Sequence, residues 1–373
     1  MRPPRGKPFE RRFDPARPPL QPTRLRLEAA TVCQLRCPSC PTAEGVIRNA
    51  IGAGWLTIDR FRELVDANPF LREIELSNWG EVFLNPDLLK IFEHAHSRGV
   101  RLTISNGANL NDVRDEVLEG LVRFGIRQVT CSIDGATPET YAIYRRRGHL
   151  DRVLRNIETI NRHKAAHRSP YPRLDWQFVA FGHNEHEIPE ARRLAARLGM
   201  GFRVKLSWGD LYGEDFSPVQ DRDLVARESG TSAADRAEFE RRHGTSYVAE
   251  ICHQLWIQPQ VNFDGRLLGC CVNHWGDFGN VFESGLLPAV NGEKMRYARE
   301  MLQGRAPARP DIPCSTCSIY GRMSETSRWV NPDEVTPSLP RRLLRPLLSR
   351  LSSLFRHARR FANRPTGASD GPG

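Results

Sequence analysis

The sequence predicts an α/β fold, a partial (β/α)6 barrel followed by a small cysteine-bearing domain, and three features predict it. Six strand patterns alternate with helix patterns between Thr23 and Trp208. Such units, joined by right-handed crossovers, roll into an open relative of the eightfold barrel. A polar stretch from Gly209 to Ala249 then shows weak helical signals and no convincing strand, and cysteines resume at Cys252. These features divide the chain into a Pro/Arg-rich arm (1–22), the barrel (23–210), a connection (211–250), the cysteine domain (251–325) and a basic tail (326–373).

The arm carries Pro3, Pro4, Pro8, Pro15, Pro18, Pro19 and Pro22 and reads as extended or disordered. Arg24 to Ala29 alternates as a first strand, and Ile58, Phe61, Leu64 and Val65 at helical spacing lead to a second, Glu73 to Ser77. Leu88, Leu89, Phe92 and Ala95, closed by Gly99, precede Arg101 to Ser105, and Val113, Val117, Leu118 and Leu121, closed by Gly125, precede Arg127 to Ile133. Val153, Ile157 and Ile160 form the next helix face, before strands Leu174 to Ala180 and Phe202 to Leu206.

A chain of 373 residues with 39% apolar content is large enough for one sizeable core and a smaller module. The net charge of +10 is unevenly placed, with Arg2, Arg5, Lys7, Arg11, Arg12 and Arg17 at the start and an arginine-rich segment after Pro340. That reads as basic arms on an enzyme body and argues against nucleic acid as a partner. No uncharged apolar run approaches a membrane span, and Met1-Arg-Pro-Pro-Arg lacks the apolar core of a signal peptide, so a cytoplasmic location is expected. Nine cysteines, an odd number, in a reducing compartment point to metal or cluster ligation rather than to disulfides.

Cys33-x3-Cys37-x2-Cys40 leaves the first strand. Three thiolates so spaced wrap one corner of a cubane, each ligating one iron, and leave the fourth iron open to a small molecule; zinc is the alternative occupant. The pattern resembles the signature of the radical S-adenosylmethionine superfamily. The resemblance implies a TIM-like partial barrel and a 4Fe-4S cluster whose open iron chelates S-adenosylmethionine. It also implies an external reductase, such as a flavodoxin or ferredoxin, whose electron cleaves the cofactor to a 5'-deoxyadenosyl radical.

Ser77-Asn78-Trp79-Gly80-Glu81-Val82 resembles the family's Gly-Gly-Glu-Pro segment at Gly80 and Glu81, which implies a carboxylate on the cofactor ammonium and close backbone approach. Ser105-Asn106-Gly107 and Ser132-Ile133-Asp134-Gly135 resemble segments lining the cofactor cavity. Ser132 and Asp134 share one strand face and are ribose candidates. Arg145 resembles a family arginine that pairs with the methionine carboxylate. Ser39 stands where many members place an aromatic ring.

Cys252, Gly265-x4-Cys270 and Cys314-x2-Cys317 resemble the SPASM/twitch-like extension, in its shortened form with one auxiliary cluster. Val261 to Cys270 reads as a hairpin with Asp264-Gly265 as its turn, followed by a helix around Glu293 to Gln303. Four thiolates saturate a second 4Fe-4S cluster, so its use is electron relay or structural clip. Cys271 rivals Cys270, the glycine spacing favours Cys270, and structural zinc is the alternative. Cys131 reads as a packed core thiol.

Leu343, Leu344, Leu347, Leu348, Leu351, Leu354, Phe355, Ala358 and Phe361 recur at helical spacing among arginines. This basic amphipathic helix suits docking on its own domain, peripheral binding to an anionic inner-membrane surface, or a partner protein. With about thirty residues before Cys33, the expected substrate is a small molecule such as a sugar or aminocyclitol, oxidised in a dehydrogenase-type reaction. A maturase of peptide or RNA, and a zinc-binding interaction protein with basic tails, are the alternatives. Trp176, Gln177, Trp208, Asp210, Asn273 and His274 lie in regions facing the expected cavity without an assigned role, and His183 and His186 read as solvated loop histidines.

Overall fold

The computed structural model describes residues 19–207, 216–248 and 250–335. The arm through residue 18, Trp208, Asp210 and the tail helix expected from Arg341 onward lie outside the described residues. The described residues through Trp329 form one compact unit, and those from Val330 belong to a second.

Strand β1 (Arg24–Leu27) is followed by α1 (Val46–Ile51), α2 (Ile58–Asp66), β2 (Glu73–Glu75), α3 (Leu88–Ser97), β3 (Arg101–Ala108), α4 (Asp115–Arg123) and β4 (Gln128–Ser132). Then come α5 (Pro138–Tyr144), α6 (Leu150–Ala166), β5 (Arg173–Ala180), α7 (Ile188–Arg197) and β6 (Gly201–Leu206). The connection folds as α8 (Arg222–Ser229) and α9 (Arg236–His243). The cysteine domain holds α10 (Gln254–Ile257), β7 (Gln260–Val261), α11 (Val281–Ser284), α12 (Leu286–Val290), α13 (Glu293–Leu302) and α14 (Ser318–Thr326). Side-chain caps start several helices: Thr57 accepts from Arg60 N, Thr137 from Thr140 N ahead of Pro138, and Asp235 from Glu238 N at 2.7 Å.

The sheet order is β6-β5-β4-β3-β2-β1-β7, with every named pair parallel. The register sorts its two faces. Leu25, Ile74, Leu102, Ile104, Val129, Leu174, Phe178 and Val204 fall on one face and are buried, as are Phe61 and Phe92 from the helices. Each such fully buried Leu or Phe contributes roughly 1.5–3 kcal/mol. Trp176 is fully buried on this side and donates its indole N–H to Ile133 O at 2.8 Å, so it does not reach the expected cavity. Cys131 is buried here too, as a packed thiol.

The inner face is polar, carrying Arg26, Glu75 and Thr103 in one row and Ser132, Gln177 and Arg203 in another. Fully covered parallel sheets are apolar on both faces; a polar inner face marks one that lines a site.

Six strands are expected from the sequence, and the structure has a seventh. β7 of the cysteine domain joins the free side of β1, with Arg26 N donating to Pro259 O at 3.0 Å and Glu28 N to Val261 O at 2.9 Å. The expected hairpin is present as a tight turn, in which Gly265 N donates to Asn262 O at 3.0 Å and Asn262 N to Arg266 O at 2.9 Å, with Val261 bridging Leu267.

Candidate active site

The loop leaving β1 carries Cys33, Cys37 and Cys40, folded back on itself by Cys40 N donating to Cys37 O at 3.3 Å. All three thiols pack against an apolar cluster of Leu35, Tyr144, Val179 and Phe181, with Phe216 beside it. Burial pushes the Cys33 thiol up to about 12 and Cys37 up to about 11, so ligation to iron releases protons that the free chain holds there.

Arg145 closes this loop from α5. Its Nε and Nη2 hold Asp134 Oδ2 at 2.7 and 2.6 Å, and its Nη1 reaches Cys37 Sγ at 4.0 Å. Asp134 is fully buried, and its Oδ1 accepts from Val179 N at 2.7 Å. Both carboxylate oxygens are therefore engaged by protein, whereas the sequence reading leaves Asp134 open for ribose. Arg145 and Asp134 form one buried unit beside the cysteine loop.

The Gly80-Glu81 segment lies directly on the chain after β1. A Cβ on Gly80 would sit inside Ala30 O, 2.7 Å from Ala30 C and 2.8 Å from Thr31 C, all backbone. Gly80→Ala is therefore expected to destabilise the metal-free protein by about 1–3 kcal/mol or more, read by anaerobic urea unfolding, since backbone cannot rotate away as a side chain would. An unchanged midpoint would show that the segment yields.

Glu81 differs from an open carboxylate at a strand end. It is buried, its Oε2 accepts from Asn109 N at 2.6 Å and its Oε1 from Phe83 N at 3.3 Å, while desolvation pushes its pKa up to about 7. Asn109 in turn sets Nδ2 3.8 Å from Cys33 Sγ. Glu81 thus fixes the backbone beside the first thiol.

Two carboxylates missed by the sequence reading support the same segment. Glu28, buried, accepts from Trp79 N at 3.0 Å and Gly80 N at 3.3 Å. Glu75 accepts from Ser77 Oγ at 2.5 Å, from Thr103 Oγ1 at 2.6 Å, and from the backbone N–H and hydroxyl of Ser105. Ser105 is accordingly taken up by Glu75 on the inner face. Asn106 donates to Asn78 Oδ1 at 3.1 Å and stays exposed. The β3–β4 register slips between Ile104 and Ala108, and Gly107, at φ 132, comes so close to the Ser132 hydroxyl that no Cβ would fit. Alternating Glu in a strand carries no signal of such partners.

Burial outweighs the backbone N–H donors and Arg26 at Glu28 and raises its pKa to about 8. A group with a raised folded pKa contributes stability below its unfolded value, about 4.3, and loses it as pH rises through the folded value. Glu28→Gln is expected to gain on the wild type between about pH 5 and pH 8 in urea midpoints of the metal-free protein, because the amide carries no charge to bury. Parallel pH curves for the two proteins would remove Glu28 from this role.

The second cysteine set lines a shared cavity: Cys252, Cys270, Cys314 and Cys317, walled by Leu255, Leu268, Asn273, Trp275, Leu302, Pro313 and Tyr320. Cys271 is not among its lining residues, and its carbonyl accepts from Asn78 Nδ2 at 2.9 Å. Burial pushes the Cys252 thiol up to about 11 and raises Cys270 and Cys314 as well. Asn273 spends its amide N–H groups on Leu268 O and Gly276 O, and His274 packs edge-on to Trp79 at 5.5 Å. His183 is not solvated: it stacks on Phe181 at 5.5 Å, and neither buried ring nitrogen has a hydrogen-bond partner among the described residues. His186 is exposed.

Residues 27–195 match the Radical SAM superfamily, and residues 252–318 match SPASM, an iron-sulfur cluster-binding domain. The chain belongs to the radical SAM superfamily. The AdoMet-dependent heme synthase of Methanosarcina barkeri is 27% identical over 180 residues, so the match spans about half of either protein, 48% of each. Streptococcus suis SuiB bound to S-adenosylmethionine has the same fold at a TM-score of 0.57, with 14% identity over 80% of this chain and 71% of that one. Native anSMEcpe with bound AdoMet is similar at 0.53, with 14% identity over 80% of this chain and 86% of that one.

A radical SAM domain followed by SPASM implies S-adenosylmethionine and two 4Fe-4S clusters. The donor sets fit them: three thiols on the one loop that leaves β1, and four thiols facing one apolar-walled cavity. No helix among the described residues is long and apolar enough to cross a membrane.

Proposed function

We propose that this radical SAM enzyme removes hydrogen from a carbon of a small-molecule substrate and oxidises it, in the manner of a dehydrogenase. Cys33, Cys37 and Cys40 would hold the cluster with the open iron, and Cys252, Cys270, Cys314 and Cys317 the saturated one. When bound, the cofactors supply an organic radical and a path for the electron that oxidation releases. Arg145 and Asn109 position the thiol loop, and Gly80 lets its segment pack on the backbone of Ala30 and Thr31 that leads into that loop. Gln177, Ser132 and Asn106 present hydrogen-bonding groups on or at the rim of the inner face.

One observation carries the reading. Asn78, beside the Gly80 segment, donates to Cys271 O next to the second cavity and accepts from Asn106, so one run of hydrogen bonds ties the end of β3 to the chain beside Cys270. The kinship with a heme synthase supports a small molecule over a peptide. An external flavodoxin- or ferredoxin-like protein would supply the electron.

The test is anaerobic reconstitution followed by incubation with reductant, S-adenosylmethionine and panels of deuterated sugars, aminocyclitols and porphyrin precursors. About eight irons per chain and deuterium in the 5'-deoxyadenosine from one panel are expected. Near-stoichiometric zinc with little sulfide would sink the proposal.

A further inference from the structure

Apart from the two cysteine sets, the helical layer brings a further group of metal-binding side chains together. Helix α4 carries Asp115 and Glu119, and α6 carries His163, with His167 as its C-cap. Each pair is spaced i,i+4, which sets its two side chains on one face. The two helices pack together and the pairs meet in step: His163 Nε2 lies 3.4 Å from Asp115 Oδ1, and His167 Nε2 lies 3.0 Å from Glu119 Oε1. The ligand atoms of Glu119, His163 and His167 all fall within 4.8 Å of one another.

Three properties of the group suit a metal cation. Among the described residues Asp115 and Glu119 pair with these histidines and with no Lys or Arg, while the neighbouring Arg114 is held by Glu116 at 3.0 Å and Arg162 donates to Thr159 at 2.7 Å. The histidines stand at the C-terminal end of a 17-residue helix, where unpaired carbonyls and the helix dipole favour positive charge. A tetrahedral ion with ligands at about 2.1 Å holds neighbouring ligand atoms roughly 3.4 Å apart. The two cross-helix pairs already stand at 3.0 and 3.4 Å, and rotation of half-exposed side chains closes the rest.

We propose that His163, His167 and Glu119, with Asp115 as the fourth ligand, bind a divalent transition-metal ion of the zinc class and so clip α4 to α6. Two imidazoles with two carboxylates suit zinc; magnesium and calcium take sets made of oxygen alone. As bare contacts between exposed side chains, the two His–carboxylate pairs add little to stability. Gathered on one ion, the same four donors tie two helices at a single point. The site is structural, takes no part in the proposed oxidation and stands whether or not that reading holds.

The test titrates reconstituted holoprotein anaerobically with zinc chloride and, as the contrast, with magnesium chloride, followed by calorimetry and metal analysis. Saturable uptake of about one zinc per chain beyond the roughly eight irons is expected, and the unfolding temperature should rise with zinc concentration, as for any ligand of the folded state. His163→Ala with His167→Ala should weaken uptake about a hundredfold or more and remove that rise, and Glu119→Gln should weaken it about tenfold. Iron and sulfide should be unchanged in both variants. Glu119→Gln keeps both rings and decides the matter if the double variant fails to fold. No saturable zinc uptake, uptake by the variants equal to that of the wild type, or magnesium bound as tightly as zinc overturns the proposal. Zinc gained only with a matching loss of iron overturns it too, because the metal has then entered a cysteine site.

Discussion

Replacing Cys33, Cys37 and Cys40 together with alanine is expected to lower the iron content from about eight to about four and to abolish cleavage of S-adenosylmethionine. The loop's thiols pack against Leu35, Val179 and Phe181, so the alanine methyl groups remain in apolar surroundings and the barrel should still fold. The second set lines its own cavity and should load normally. Iron and sulfide analysis with detection of 5'-deoxyadenosine decides it. Residual cleavage in the triple variant would refute the assignment, and loss of all iron would show that the two sites assemble together.

Arg145→Met is expected to destabilise the metal-free protein by about 3–5 kcal/mol, because it leaves a fully buried carboxylate uncompensated. Asp134 accepts from Val179 N as well, but one backbone donor does not offset a buried charge. Asp134→Asn combined with Arg145→Met should recover a large part of the loss, since the charge is then gone from both sides. Urea unfolding of the three variants measures the coupling. A loss below about 1 kcal/mol, the scale of an exposed pair, would mean that water reaches Asp134. First-cluster loading should fall in Arg145→Met alongside stability, given the 4.0 Å approach of Nη1 to Cys37 Sγ.

The barrel was legible because its helices and strands carry unlike periods, and both cysteine sets because ligand spacing survives as sequence spacing. What escaped were pairings between distant segments. Asp134 and Arg145 were each read toward the cofactor, although they lie 11 residues apart and bind each other. Glu28 and Glu75 resemble outward strand residues in an alternating pattern, yet each accepts several N–H or O–H groups at the heart of the site. Two-residue β7 has no period to read. His183 sits in a polar run, yet its ring lies between Phe181, two residues before it, and Phe216, from farther along the chain.

The parallel pairing of β7 with β1 has a consequence for dissecting the protein. A chain ending near residue 250 would retain the thiol loop but strip the partner from the backbone N–H groups of Arg26 and Glu28, which now donate to Pro259 and Val261. That bare margin beside buried Leu25 and Leu27 is a template for strand addition by a second copy. The isolated barrel would therefore be aggregation-prone however well its own helices pack, and its solubility would be restored by supplying the missing strand.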